Sequence, residues 1–376
     1  MKKLTVVIVS YNVRHYLTQC LVSVQRAARD IDHEIIVVDN DSTDDTVDYL
    51  RKHFAQSITL IESQHNLGFA RANNIAIRQS QSQYVLLLNP DTIISEDSLS
   101  LVLDFMDSHP KAGGAGACMM GADGSLAPES RRALPTPWVS MLKMLGFSRK
   151  YYMSHLPWDK PSQIDIMSGA FCMLRREALN KVGLLDETFF MYGEDIDLSY
   201  RILKGGFENW YVPAKILHYK GESTKKSTYR YVHIFYQAML IFFRKHYSHA
   251  SLLVTLPIKA AIYFRALLAL VQMQYQRIRT SLGFDHTGDP DMQYFLQGSE
   301  QMKQQCTLLA QRKGLQIHDG ELPEALPRYS CIVFDTEGMS FSDIFARLQQ
   351  LSANDPILGT YYPGTQTIIT PFEAIE

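Results

Sequence analysis

Three apolar runs in the first ninety residues constrain this chain most. Leu4–Ser10, Glu34–Asp39 (built around Ile35-Ile36-Val37-Val38) and Tyr84–Leu88 are rich in β-formers. They are nearly continuous in their hydrophobicity, with little of the alternation of a half-exposed strand. Such strands must be covered on both faces, as in a parallel sheet sandwiched by helices. The segments between them carry helical signals. Val13–Arg29 places Tyr16, Leu17, Cys20, Leu21 and Val24 near a helical period, Asp44–Phe54 follows the capping candidates Ser42 and Thr43, and Phe69–Gln79 carries Ala70, Ala72, Ile75 and Ala76. With a shorter strand at Ile58–Glu62, the order is βαβαβαβ, which implies a doubly wound α/β sheet with right-handed crossovers. Ligands of such sheets bind at the carboxyl ends of the strands. Here those ends are polar: Ser10-Tyr11-Asn12, Asp39-Asn40-Asp41-Ser42, Gln64-His65-Asn66 and Asn89-Pro90-Asp91-Thr92.

The remaining chain is more varied. The 376 residues suggest two to three domains. Gly121-Ala122-Asp123-Gly124 reads as a tight turn between strands, and Pro128 to Pro161 punctuate a loop-rich insertion. Ile164–Leu174 is strand-like. A helix is expected over Glu194–Leu203, ended by Gly205-Gly206, with short strands at Glu208–Val212 and Ala214–Leu217. Residues 280–325 are polar and variable. Residues 330–376 resume an α/β pattern, with strands at Cys331–Phe334 and Thr365–Ile369 around a helix at Phe341–Leu351.

The five cysteines are odd in number, irregular in spacing and lack a CxxC, so reduced thiols are the simpler reading than zinc or a disulfide framework. The apolar run at Val6–Val9 is shorter than a signal-peptide core and reads as a buried first strand, consistent with a cytoplasmic protein. Neither GxGxxG nor GxxxxGK[ST] occurs, so the common phosphate cradles are missing and a divalent cation is the alternative means of handling phosphate charge. Asp91, just beyond the buried run Tyr84–Leu88, is the first ligand candidate, although Asn-Pro-Asp-Thr is also ordinary turn chemistry. Glu194, Asp195 and Asp197 crowd a helix start, where the helix dipole alone can account for carboxylates. A general base at the crevice mouth is the functional alternative. Helical spacing pairs Glu194 with Asp197 and leaves Asp195 to project elsewhere.

Taken in order, these segments resemble the family 2 glycosyltransferases over about residues 4–245. The carriers are Thr5–Asn12, Ile36–Asp44, Asn66-Leu67-Gly68-Phe69-Ala70-Arg71-Ala72-Asn73-Asn74, Leu87–Thr92, Ser168-Gly169-Ala170-Phe171, Val182–Phe190 and Tyr192-Gly193-Glu194-Asp195-Ile196-Asp197-Leu198. The Asn-Pro-Asp at 89–91 is most similar to the rhamnosyltransferase-type subgroup. The resemblance implies a GT-A fold with a doubly wound mixed sheet and an inverting transfer from a nucleoside-diphosphate sugar. The donor would be dTDP-rhamnose or a UDP-sugar, and the acceptor a glycan or lipid-linked glycan of a cell-surface polysaccharide. It also implies that Ser10, Tyr11, Asn12, Asp39, Asn40, Asn66, Gly68, Arg71, Asn89, Gly169 and Ala170 hold the nucleotide sugar. Asp91 and His218 would hold Mg²⁺ or Mn²⁺, and Asp195 would be the base. Asn89 stands where many relatives have Asp, which lowers the charge of the metal site. Glu194, Trp138 and Trp158 are acceptor-side candidates. Packing of the insertion onto the core is an equal reading of the two tryptophans.

The near-neutral total charge hides one biased stretch. Residues 220–279 hold ten basic residues against Glu222 alone, with seven aromatics in Tyr229–Tyr247. This composition fits a surface resting on anionic lipid. A packed helical hairpin or an interface between copies of the chain are the competing readings. No uncharged apolar run reaches the length of a membrane span. Nucleic-acid binding is disfavoured, because no recognised motif accompanies the basic residues. The expected organisation is a GT-A unit over 1–228, a basic aromatic helical extension over 229–280 and an accessory region over 281–376 with an α/β segment at 330–376. A sugar-nucleotide-binding or scaffold protein without turnover is the alternative to an enzyme.

Overall fold

In the computed structural model, residues 1–219, 229–247, short stretches between 260 and 275, and 292–376 except 324 are described. The expected alternation is present at the N-terminus. Strands β1 (Leu4–Ser10), β2 (His33–Asp39), β3 (Thr59–Glu62) and β4 (Tyr84–Leu88) are separated by helices α1 (Arg14–Ala27), α2 (Thr46–His53) and α3 (Phe69–Gln79). The chain continues through β5 (Thr92–Ile94), α4 (Ser98–Ser108), β6 (Ala112–Met120), α5 (Pro137–Met144), β7 (Ser162–Ile164), β8 (Phe171–Arg175), α6 (Arg176–Val182), α7 (Glu194–Lys204) and β9 (Glu208–His218). These nine strands form one mixed sheet in the order β3-β2-β1-β4-β8-β6-β9-β5, with β7 beside β9. The pairs β1/β2, β1/β4 and β2/β3 are parallel, and β8 runs antiparallel to both β4 and β6.

The uninterrupted apolar runs explain this placement. Leu4, Val6 and Ile8 point into one core with Leu86 and Leu88, whereas Val7 points into the opposite core with Val85 and Leu87. Both faces of β1 and β4 are therefore covered by helices, and neither strand could occupy an exposed edge. The polar ends read from the sequence lie at the carboxyl ends of β1, β2 and β4, with Asn66 just after β3.

Three expectations are corrected. The strand-like stretch Ile164–Leu174 is two strands, β7 and β8, because residues 165–170 leave the sheet and carry Gly169 toward the crevice. The two short strands around Pro213 are one, β9. The proline is accommodated where the β6/β9 register shifts between Gly116/Tyr211 and Cys118/Lys215, as expected for a residue without an N–H at a bulge. The C-terminal α/β pattern begins well before residue 330. A six-stranded sheet is built from β10 (Gln293–Gln297), β11 (Gln316–His318), β12 (Ser330–Asp335), β13 (Ile357–Tyr362), β14 (Thr367–Ile369) and β15 (Ala374–Ile375) in the order β11-β10-β12-β13-β14-β15.

Helix α8 (Tyr229–His246) follows the first sheet, and α9 (Glu300–Lys313) and α10 (Phe341–Leu351) belong to the second. Ser299 and Ser340 cap α9 and α10, each accepting a bond from a backbone amide of the first turn. All five cysteines are free and buried. Most of the basic stretch 220–279 lies outside the described residues. Among the described residues, no helix is long and apolar enough to cross a membrane.

Candidate functional site

A cavity of about 1120 Å³ opens at the carboxyl ends of the first sheet's strands. It brings together ten of the residues singled out in the sequence: Tyr11, Asn40, Asn66, Asn89, Asp91, Gly169, Ala170, Glu194, Asp195 and His218. One end is built from the turns after β1, β2 and β3. Asn12 takes a left-handed backbone, which Asn tolerates, and its Oδ1 accepts from the amide of Thr43 at 2.7 Å. Asn40 Oδ1 accepts from the amide of Leu67, and Asn40 Nδ2 donates to Asn66 Oδ1 at 3.1 Å. Asn66 Oδ1 also accepts from the amide of Gly68, so three side chains fix the loops that frame this end.

Gly68 is at φ +78° directly before α3, and a Cβ there would lie 2.4 Å from the Phe190 carbonyl oxygen. Only glycine allows that approach, and it lets Phe69 N–H bond the same carbonyl at 2.8 Å. Behind the wall, Asp39 is buried at the end of β2. Its Oδ2 accepts from the Ser42 amide at 3.0 Å, while Oδ1 has no hydrogen-bond partner among the described residues. Burial pushes its carboxyl up from the usual range. Ser10 is likewise buried, with a hydroxyl that has no hydrogen-bond partner among the described residues.

The cavity lining also includes Asp91 and His218. Strands β5 and β9 pair antiparallel with Thr92 opposite His218, which places the imidazole beside the carboxylate of the preceding residue. His218 Nε2 lies 3.3 Å from Asp91 Oδ1 and 3.4 Å from Asn89 Nδ2. Asp91 is 1% exposed and His218 is partly open. Among the described residues no group of three or more His, Cys, Asp or Glu could hold a metal. Among the described residues, Asp91 and His218 are the two ligand side chains brought together at this point.

A tight reversal delivers the acidic helix to the same cavity. Tyr192 and Gly193 are both left-handed, at φ +68° and +87°, an unfavourable setting for a tyrosine. Helix α7 then starts with Glu194 and Asp195 facing the cavity. The helical-spacing argument, with Glu194 and Asp197 serving the helix end and Asp195 left free, is overturned. Asp197 is fully buried and bonds Arg201, Lys245 and His246, tying α7 to α8. Burial raises its carboxyl, but the bonds from Lys245, His246 and Arg201 outweigh that and hold it below the ordinary range. Asp195 is not free either. Its Oδ2 accepts from Arg132 at 2.6 Å and from the Gly169 amide at 3.3 Å, and its Oδ1 accepts from the Ile196 amide at 2.8 Å. Glu194 is buried with Oε2 lacking a hydrogen-bond partner among the described residues. Burial first, and then the charge of Asp195, push the Glu194 carboxyl well up.

Arg132 is the residue that sequence reasoning missed. It sits in the proline-punctuated insertion, in an isolated antiparallel bridge with Ile166. Arg131 and Arg132 take opposite sides of that extended segment. Arg131 is buried with its guanidinium 3.4 Å over the Trp158 ring, whereas Arg132 turns toward the cavity and also bonds the Met167 carbonyl at 2.6 Å. The alternation of an extended chain was the only signal that separated the two. Burial opposes the charge on Arg132, but Asp195 and Tyr151 more than compensate and hold it firmly protonated.

Other expected residues stand elsewhere. Arg71 is on the exposed face of α3, where its Nε donates to Glu187 at 3.2 Å, away from the cavity lining. Trp138 is 57% exposed on α5 and does not line the cavity. Trp158 packs the insertion onto the core: it covers Arg131, meets Tyr211 edge-on and accepts that residue's hydroxyl on its carbonyl. The opposite wall is apolar and unexpected. It is formed by Phe235, Tyr236, Met239 and Phe242 of α8, with Pro371 and Phe372 from the C-terminal sheet.

Residues 5–183 match the profile of Glycosyl transferase family 2. Among characterised proteins, the chain is 29% identical over 266 residues to an N-acetylglucosaminyl-diphospho-decaprenol L-rhamnosyltransferase of Mycobacterium tuberculosis. That alignment covers 65% of this chain and 85% of the relative. It is 28% identical over 249 residues to the rhamnosyltransferase WbbL of Escherichia coli, covering 60% and 91%. Among solved structures, a mannosyltransferase, PcManGT, from Pyrobaculum calidifontis, in complex with GDP-Man and Mn²⁺, aligns over 83% of this chain and 81% of its own. The TM-score is 0.48 at 18% identity.

Proposed function

Because the chain is a family 2 glycosyltransferase, we propose that it moves a deoxysugar, rhamnose first, from a nucleoside diphosphate to a hydroxyl of a glycan or lipid-linked glycan, with inversion at the anomeric carbon. One observation carries the reading: Asn40 and Asn66, the Asp91–His218 pair and Asp195 line one cavity, with Asp39 buried behind its Asn40 wall; we assign these groups to the nucleobase, the diphosphate and the acceptor hydroxyl. The two relatives named by sequence, from Mycobacterium tuberculosis and Escherichia coli, are rhamnosyltransferases and support the choice of sugar.

In this reading the nucleobase lies at the Asn40–Asn66 end. The unpaired oxygen of Asp39 suits a ring N–H of uracil or thymine, a donor that cytosine does not offer in the same place. The Asp91–His218 pair fits Mg²⁺ or Mn²⁺ with an incomplete protein shell. Asp91 and His218 supply two ligands, and diphosphate oxygens and water are the customary remainder for such ions. When bound, the ion would neutralise charge on the departing nucleoside diphosphate. Asp195 takes the proton of the acceptor hydroxyl as that oxygen bonds the anomeric carbon and the carbon–oxygen bond to the diphosphate breaks. Arg132 and the Gly169 amide hold the Asp195 oxygen in place while it does so. Glu194, biased toward its protonated form beside Asp195, can accept or donate a bond to an acceptor hydroxyl without adding a second negative charge.

A thermal-shift panel tests the donor side. dTDP or UDP with Mn²⁺, at about a hundredfold excess over Kd, should stabilise the protein by about 2.7 kcal/mol. GDP and CDP should do far less. Equal shifts with all four would remove the Asp39 assignment.

Lipid contact by the basic aromatic stretch is part of the same proposal. Tyr263, Phe264, Leu267 and Val271 stand exposed, an apolar surface suited to an acceptor held at a membrane. The full chain should sediment with vesicles containing anionic lipid at low salt and be released as ionic strength rises. Absence of binding at low salt would exclude this part.

A further inference from the structure

The C-terminal sheet has no role in the reading above, yet it is joined to the crevice at buried points. Ile332, Phe334, Phe345 and Leu358 of that unit share a single apolar core with Val13, Tyr16, Leu217 and Tyr219 of the first sheet's side. A polar chain runs through this core. Gln19 Nε2 on α1 donates to Thr360 Oγ1 on β13 at 2.6 Å, and the Tyr219 hydroxyl donates to Gln19 Oε1 at 3.0 Å. Gln19 and Thr360 are almost completely buried. Nearby, the Tyr16 hydroxyl donates to the Thr370 carbonyl at 2.8 Å, and the Tyr16 and Tyr219 rings meet edge-on at 5.2 Å.

Tyr219 is the residue after His218, and its amide donates to the Asp91 carbonyl at 3.0 Å. The buried chain therefore ends on the backbone link that closes the Asp91–His218 pair. A second contact reaches the neighbouring wall. Leu358 N–H bonds the Ala122 carbonyl at 2.8 Å, and Gly124 sits so close to Leu348 that a Cβ would lie 2.6 Å from its carbonyl oxygen. The turn at 121–124 is thus held against β13 and α10, and residues 121–123 line the cavity.

We propose that the C-terminal α/β unit is a positioning element of the transfer site, fixing the Asp91–His218 pair through the buried Thr360–Gln19–Tyr219 chain. It is not an independent binding module. The inference rests on reading Asp91 and His218 as the diphosphate end of the crevice. Thr360 and Gln19 do not line the cavity, and Tyr219 does so only beside His218. They act through the geometry of the β5/β9 junction.

The test uses the full-length protein with Thr360→Val, which keeps the shape but removes the hydroxyl that Gln19 and Tyr219 meet. Thr360→Ser is the conservative control, and Tyr16→Phe disturbs the same face if the valine variant does not fold. Amide hydrogen exchange is followed at residues 91–94 and 216–219, and dTDP binding with Mn²⁺ is measured by calorimetry. The Gln19 amide is then buried without its partner, so exchange at the junction should quicken and dTDP binding weaken by about tenfold or more. Thr360→Ser should restore both. Unchanged exchange in folded Thr360→Val would overturn the brace. Faster exchange with unchanged dTDP affinity would overturn its role in positioning the site. If the unaltered protein binds neither dTDP nor UDP, the functional reading fails instead, and the exchange measurement still decides whether the brace exists.

Discussion

Asp195→Asn is expected to lower sugar transfer about 10²–10⁴-fold, the usual contribution of a positioned general base. Nucleotide binding should remain, because Asp195 lies on α7 and makes no bond to Asn40, Asn66, Asp91 or His218; its partners are Arg132 and the Gly169 and Ile196 amides. The variant should also fold. The amide oxygen can still accept from Arg132 and the Gly169 amide, the two donors that meet Oδ2. Removing the Asp195 charge also eases ionisation of Glu194, whose carboxyl is pushed up in part by that charge. Glu194 can then balance Arg132. The discriminating measurement is a single-turnover assay alongside a dTDP or UDP titration. A transfer rate within tenfold of the original protein, with normal binding, would mean that Asp195 is not the base. If Glu194→Gln instead abolished transfer with Asp195 intact, the two carboxylates would exchange roles.

Much of the crevice was legible from the sequence because its residues sit at the ends of strands that have only one possible environment. Tyr84–Leu88 is apolar at every position, so it must be central, and Asn89-Pro90-Asp91 must then emerge at a strand end. Glu194 and Asp195 stand out in the sequence as an acidic helix start, whereas His218 is picked out by resemblance alone, since a lone histidine has ordinary explanations. The parts that escaped depend on pairing between distant segments. Residues 165–170 look like strand because Ile164, Ile166, Phe171 and Met173 are apolar, but burial there is against Ser199 and Asp195 of α7 instead of within the sheet. Arg132 is indistinguishable from Arg131 until the bridge to Ile166 sets which one faces the cavity. Strand β10 offers only Tyr294, Phe295 and Leu296 between glutamines, a weak signal. It becomes a strand through its parallel pairing with β11 and β12. The aromatics of α8 are conspicuous in the sequence, but that Phe235, Tyr236 and Phe242 form a wall of the cavity with Phe372 is set by packing alone.

Arg132→Met is expected to destabilise the protein by about 3–5 kcal/mol, the range for removing one member of a buried ion pair. Arg132 and Asp195 are 11% and 15% exposed, and Glu194 is buried beside them, so the substitution leaves two carboxylates facing one another without their cation. The loss should depend on pH with a definite sign. Glu194 already has a raised carboxyl in the folded protein, lowered somewhat by Arg132, so losing Arg132 raises it further. A carboxyl raised on folding contributes fully at pH values below its unfolded value of 4.5. That contribution is lost as pH climbs through the folded value. Arg132→Met should therefore regain stability on acidification from pH 7.5 toward 5, to a greater extent than the original protein does. Denaturant unfolding at the two pH values measures this. The double variant Arg132→Met/Asp195→Asn should recover much of the loss, because it removes the charge that Arg132 opposes, and a double-mutant cycle isolates the coupling. A cost below about 1 kcal/mol for Arg132→Met is what an exposed pair would give. That result would mean Arg132 is not the buried counter-charge of Asp195, and the base would need another residue to hold its oxygen toward the acceptor.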